Sequence, residues 1–165
     1  DREQKKIANI CFNLLMQQQP VARDLRVISA AMKMVTDMER IGDHAADISE
    51  MTVMMASEPY VVDLSDIKKM ASETVLMRIR SIEAYVEKDM LKAQSVIDHD
   101  DIVDELFNKV KQELIEMIRK NPAVSEQAAD MLMVAKYFER IGDHATNLAE
   151  LIIFALDDKK NTMQN

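Results

Sequence analysis

The 165-residue chain carries 29 acidic and 21 basic residues, for a formal net charge of −8 at pH 7; it is 48% hydrophobic but only 4% aromatic, with 14 Met, two Gly and three Pro. So few turn formers, against an average protein usage of about 12% for Gly and Pro together, exclude a β-sandwich or βαβ fold, and the negative charge excludes an electrostatic footprint for nucleic acid. The lone Cys11 excludes an intrachain disulfide, no run approaches the ~20 apolar residues of a membrane span, and the start Asp1-Arg2-Glu3-Gln4-Lys5-Lys6 has no apolar signal segment, so an all-α, cytosolic protein is expected.

Apolar residues recur at spacings of three and four between the prolines, which predicts five helices. The first spans about residues 1–18, with Ile7, Ile10, Cys11, Leu14 and Leu15 on one side, and stops near Pro20. The second spans about 21–55 and aligns Val27, Ala30, Met34, Met38, Ile41, Ala45, Ile48 and Thr52 on a common face until Ser57-Glu58-Pro59-Tyr60 breaks it. The third, capped by Asp63 or Ser65, runs to about residue 97, and Asp98-His99-Asp100 is the expected corner. The fourth covers about 101–119. Asn121 and Pro122 then have the N-cap and first-turn character that opens a fifth helix reaching about residue 156, before a tail over 157–165 that should fray.

An internal repeat organises these helices. Glu39-Arg40-Ile41-Gly42-Asp43-His44-Ala45 recurs letter for letter as Glu139-Arg140-Ile141-Gly142-Asp143-His144-Ala145. The first two helices therefore correspond to the last two, and the fold expected is two tandem three-helix bundles related by duplication, the first lacking its N-terminal helix in this chain. The expected division is a first repeat over 1–56, a linker over 57–62, a second repeat over 63–156 and the tail. The faces of Ile7, Leu14, Val27 and Met34 should then form an exposed apolar groove.

On a helical wheel Asp43, Asp47 and Glu50 fall within about 80° of Glu39, while Met34, Ile41, Ala45 and Ile48 cluster opposite. Glu139, Asp143, Asn147 and Glu150 repeat this stripe. A charge run is ordinarily a solvated face, but three features weigh against that. Glu39 and Asp43 are like charges at i, i+4, a mildly destabilising pairing; Gly42 and Gly142, the only glycines, sit mid-helix at a cost of up to about 1 kcal/mol each; and the arrangement occurs twice. Carboxylates one turn apart can jointly hold a hard cation. A second pair at the same spacing, Asp100 and Asp104, has Asp101 and Glu105 alongside. Asp104 lies 18 residues before Pro122 and Glu139 lies 17 after it, so in antiparallel helices both pairs reach the same height and Asp100, Asp104, Glu139 and Asp143 can converge. In the first repeat Glu39 and Asp43 would be joined by Asp1. His44 and His144 read as packing residues, Arg40 and Arg140 as groups that orient carboxylates, and His99 as a solvated turn residue.

These two motif copies, with Gln19-Pro20-Val21-Ala22-Arg23-Asp24-Leu25-Arg26, resemble the PhoU family of phosphate-transport regulators over essentially the whole chain. The resemblance implies paired three-helix bundles whose Glu/Asp-x-x-x-Asp pairs bind surface metal, iron or zinc, with manganese and magnesium also compatible with oxygen ligands. By position the ligands are Asp100, Asp104, Glu139 and Asp143, and Glu39 with Asp43; Asp1, Asp101, Asp47, Glu50 and Glu150 are additional candidates. It also implies a cytoplasmic, non-catalytic negative regulator, a homodimer that adapts the ATPase subunit of a phosphate ABC transporter to a sensor histidine kinase and meets the membrane only through those partners. One alternative is the cytoplasmic domain of a sodium/phosphate cotransporter. A more distant one is a carboxylate-bridged di-metal enzyme, which would use Glu-x-x-His pairs that this sequence lacks.

Overall fold

The computed structural model describes residues 2–17, 21–57, 59–61 and 63–157, and these form five α-helices. They are α1 (Arg2–Gln17), α2 (Ala22–Met55), α3 (Ser65–Glu87), α4 (Met90–Lys120) and α5 (Ser125–Leu156), with a 3-10 turn at Pro122–Val124 between the last two. No strand occurs among the described residues, as the scarcity of turn formers predicts. Asp1, Glu58 and most of the 157–165 tail, on which expectations also fell, lie outside the described residues.

The main correction is the corner between α3 and α4. The predicted third helix ends ten residues early, and Asp98-His99-Asp100 rides in the middle of α4. The turn is closed by Lys88, whose φ of 54° is left-handed, and by the Asp89 N–H donating to Ala84 O at 3.0 Å. This is the closure that glycine usually makes, because a side chain there costs roughly 1–2 kcal/mol. Asp89 offsets that cost by capping α4, its Oδ1 accepting from the Leu91 and Lys92 N–H groups at 2.9 and 3.0 Å. Lys92 then ties the corner to Glu87 at 2.7 Å.

Helices α3, α4 and α5 pack as one three-helix bundle, and α2 lies along α5 with α1 beyond it. The bundle core is built from Met70, Met77, Val96, Val103, Leu148 and Ile152, all buried. Two buried hydroxyls are satisfied within it: Thr74 donates to Met70 O at 3.0 Å, and Ser81 to Met77 O at 2.9 Å and across to Ala145 O at 3.2 Å. The linker is pinned to α5 by Gln127, which accepts from the Val61 N–H at 2.7 Å and donates to Pro59 O at 3.2 Å.

The duplicated helices α2 and α5 run antiparallel, and their contact is made in symmetric pairs. His144 Nδ1 donates to Asp37 Oδ1 at 2.8 Å, while His44 stacks on Tyr137, the residue at the Asp37-equivalent position, at 5.5 Å. The two histidines stack on each other at 5.7 Å, near a local two-fold axis.

Burial breaks this symmetry. Ala145, Leu148 and Ile152 are enclosed by α3 and α4, whereas their equivalents Ala45 and Thr52 are exposed and Ile48 is half-buried. Val27 and Met38, placed by periodicity on the core face of α2, are also exposed, Met38 by 48%. Helical spacing makes these residues share a face with Ala30, Met34 and Ile41, and the bundle covers only that part of it, since those three are buried. Of the residues expected to form an apolar groove, Ile7, Leu14 and Val27 are exposed, while a cleft of about 230 Å³ between α1, α2, α3 and α5 is lined by Ile7 and Met34 with Met38, Ile82, Tyr85 and Leu148, and not by Leu14 or Val27. Met34 departs from the expectation, being itself buried against the core.

Candidate functional site

Because α4 and α5 leave a common corner at Pro122, their residues pair by distance from it. Gly142 faces Asp100 and Val103, Glu139 faces Asp104, and Lys136 faces Phe107. The four carboxylates thus share one seam, with Asp104 and Asp143 on its exposed rim and Asp100 and Glu139 set deeper. This is less solvated than a wheel drawn on α5 alone suggests, since α4 covers part of the acidic stripe.

The seam is electrostatically strained. Burial, followed by repulsion from Asp104 and Asp143, pushes the Asp100 carboxyl up to about 6. Burial and then the Glu139 charge raise both Asp104 and Asp143, against a lowering contribution from Lys136. A folded-state carboxyl raised above its unfolded value near about 4 holds more protons than the unfolded chain in the window between, so stability falls as pH rises through it and recovers on acidification. With chelator present, the melting temperature of the wild type is therefore expected to rise between pH 7 and pH 5 relative to that of Asp100→Asn. Parallel pH profiles for the two proteins would refute the assignment.

Glu139 meets the Lys136 ammonium through both oxygens, yet its Oε2 is sealed from solvent and receives no properly directed hydrogen bond. An oxygen so placed suits a cation, and the all-carboxylate donor set suits a hard one. The side chains are not, however, arranged to share one: among the described residues no three His, Cys, Asp or Glu groups form a cluster able to hold a metal ion.

The first repeat differs. Asp43 is 51% exposed with Arg40 at 3.6 Å, Glu39 is half-buried, and Gly42 has no atom within 4 Å of where a Cβ would stand. By the offset of 100 between the two motifs, Val103 matches Glu3, which is exposed, and no residue of this chain matches Asp100. Of the additional candidates, Asp47 is engaged by His44 at 3.3 Å, and Glu50, Asp101 and Glu150 are exposed. His44 and His144 are packing residues, as expected. His99 is not the solvated turn residue expected: it lies mid-helix, half-buried, with Nε2 donating to Glu73 of α3 at 2.7 Å. Glu73, Asp37 and Lys136 were not found by motif reading, although Asp37 stands two turns before His44 and Lys136 at i−3 from Glu139, spacings that a wheel displays.

The two glycines therefore make different predictions. Gly42→Ala should stabilise the protein by about 0.5–1 kcal/mol, the ordinary helix-propensity gain. At Gly142 a Cβ would stand 3.2 Å from Asp100 Oδ1 and 3.4 Å from Val103 Cγ1. Val103 is buried and stiff, so the gain should be lost or reversed and Asp100 displaced. Urea denaturation of both variants checks this, and equal gains would show that close approach at Gly142 carries no weight.

Residues 1–52 and 67–152 match the family model of the PhoU domain. The chain is 38% identical to the phosphate-specific transport system accessory protein PhoU homolog of Clostridium acetobutylicum, over 97% of this chain and 74% of that protein. It is 34% identical to the PhoU homolog of a Burkholderia species, over 87% of this chain and 63% of that protein. The crystal structure of PhoU from Pseudomonas aeruginosa aligns with a TM-score of 0.91 at 28% identity, covering 94% of this chain and 75% of that one. The phosphate transport system regulatory protein PhoU from Streptococcus pneumoniae has the same fold, with a TM-score of 0.84 at 22% identity, covering 93% and 72%.

Proposed function

The chain belongs to the PhoU domain family, and from that premise we propose that it is a negative regulator of phosphate uptake and of the phosphate-starvation response. In this reading it is a cytoplasmic, non-catalytic adaptor between the ATPase subunit of a phosphate ABC transporter and a sensor histidine kinase, acting as a homodimer. Its relatives are described as accessory proteins of phosphate-specific transport, which supports the transporter side of the reading. No described helix is long and apolar enough to cross a membrane, so membrane contact would come through partners.

The metal part of the proposal rests on the α4/α5 seam. Asp100, Asp104, Glu139 and Asp143 are held together at the expense of burial and mutual repulsion, and a bound cation would relieve both. Oxygen ligands alone favour iron, manganese or magnesium; zinc would more often add a nitrogen ligand. The test is elemental analysis of protein purified without chelator or nickel affinity resin, paired with binding of the isolated kinase and transporter ATPase. Stoichiometric metal together with partner binding supports the proposal. Metal-free protein that still binds both partners would remove the metal and keep the adaptor, and failure to bind either partner would remove the adaptor.

A further inference from the structure

We propose that one end of the molecule, formed by the α1–α2 turn, the α3–α4 corner and the C-terminus of α5, docks directly on a phospholipid bilayer. This goes beyond the adaptor reading, in which the membrane is met only through partners, and does not depend on it.

The connections between helices set which side chains meet there. Gly142 faces Asp100 across the antiparallel α4/α5 pair, so ten residues further on Met90, at the start of α4, lies level with Ile152, near the end of α5. The N-terminus of α2 reaches the same end, because Arg26 donates to Asp157 O and places its guanidinium carbon 5.5 Å from the centre of the Phe154 ring. Corners that face water are normally built from small polar residues. Here Leu91, at 84%, is the most exposed large apolar side chain among the described residues, and Met16 (77%), Val86 (72%), Val21 (67%) and Phe154 are exposed at the same end.

Two features favour a bilayer as the occupant. These side chains project from separate connections and form no single stripe at three- and four-residue spacing, which a partner helix would need; what meets all of them is an extended apolar surface. The charge fits as well: Arg23, Arg26, Lys88 and Lys92 offset Asp24, Glu87, Asp89 and Asp157, so this end is near neutral in a chain of net charge −8. Anionic headgroups repel the remaining surface more than this end, which turns the end toward the membrane. Lys88, exposed at the corner between Val86 and Leu91, can then reach a headgroup phosphate while its apolar neighbours enter the acyl boundary. Val53, 77% exposed on the last turn of α2 at the opposite end, is the internal control.

The experiment uses the full chain and vesicles of phosphatidylcholine with a minority of phosphatidylglycerol. The sequence has no Trp, so Leu91→Trp places a single reporter at this end and Val53→Trp one at the other. Added vesicles should shift the Leu91→Trp emission to shorter wavelength and leave that of Val53→Trp unmoved. Wild type should float with the vesicles, and the double variant Leu91→Ser, Met16→Ser should partition to them about tenfold more weakly, since two apolar side chains no longer leave water. Both replaced side chains are exposed, so the fold of that variant should survive. Failure of the wild type to float, an equal shift at both reporters, or undiminished flotation of the double variant overturns the proposal. A shift of Leu91→Trp that needs no vesicles and grows with protein concentration assigns this end to a second copy of the chain and overturns it too. Binding of the isolated kinase and transporter ATPase is measured without lipid, so the adaptor reading stands or falls separately.

Discussion

The double replacement Asp143→Asn with Glu139→Gln is expected to abolish metal uptake by the α4/α5 seam, weakening it by more than about 100-fold, while the metal-free fold survives. Both changes keep side-chain shape and remove charge, so a lost cation site is separated from lost packing. The energetics of the metal-free state are a near-balance. Like-charge repulsion between Glu139 and Asp143, and between these and the α4 acids, is relieved by a few tenths of a kcal/mol per pair. Lys136 loses its carboxylate partner, which at its exposure costs about 0–1 kcal/mol. Unfolding free energy measured in chelator should therefore change by less than about 1 kcal/mol. In cells the variant should derepress a phosphate-starvation reporter at high phosphate if metal presents this face to the kinase or transporter. Undiminished binding of Mn²⁺ would return the acids to being a solvated helix face.

Leu148→Ala is expected to destabilise the protein by about 3 kcal/mol, and Ile48→Ala by less than about 1 kcal/mol, although the two positions are equivalent in the duplication. Leu148 is 2% exposed and belongs to the core shared by α3, α4 and α5, so truncation leaves a cavity that rigid neighbours cannot fill. Ile48 is half-buried against the edge of that core and can be replaced by water without opening a void. Denaturant midpoints at constant slope measure the difference. Equal costs for the two truncations would mean that α2 is as deeply packed as α5, contrary to the asymmetry of the fold.

Gly142 and Gly42 illustrate the same division. The surrounding seven residues are identical in both copies, so every local quantity, from propensity and periodicity to like-charge spacing, is identical too. One glycine nevertheless faces Asp100 and Val103 at close range and the other faces open space.

What the sequence by itself determined is what depends on neighbours along the chain: five helices, the all-α class, the duplication, and the common height of Asp104 and Glu139, which follows from counting residues either side of Pro122 at a fixed rise per residue. Tertiary structure decided whatever depends on a partner far along the chain. The α3/α4 corner falls at Lys88-Asp89 because packing returns enough energy to hold a lysine in a left-handed conformation that propensity argues against. His99 is paired because α3 brings Glu73 to it. Lys136 reaches the ring of Phe107 because α4 turns back along α5, and Ala145 is buried while Ala45 is exposed because α3 covers one copy of the motif and not the other. Identical residues carry identical local preferences, but burial and charge pairing are properties of the space around them, and that space is set by the helices packed there.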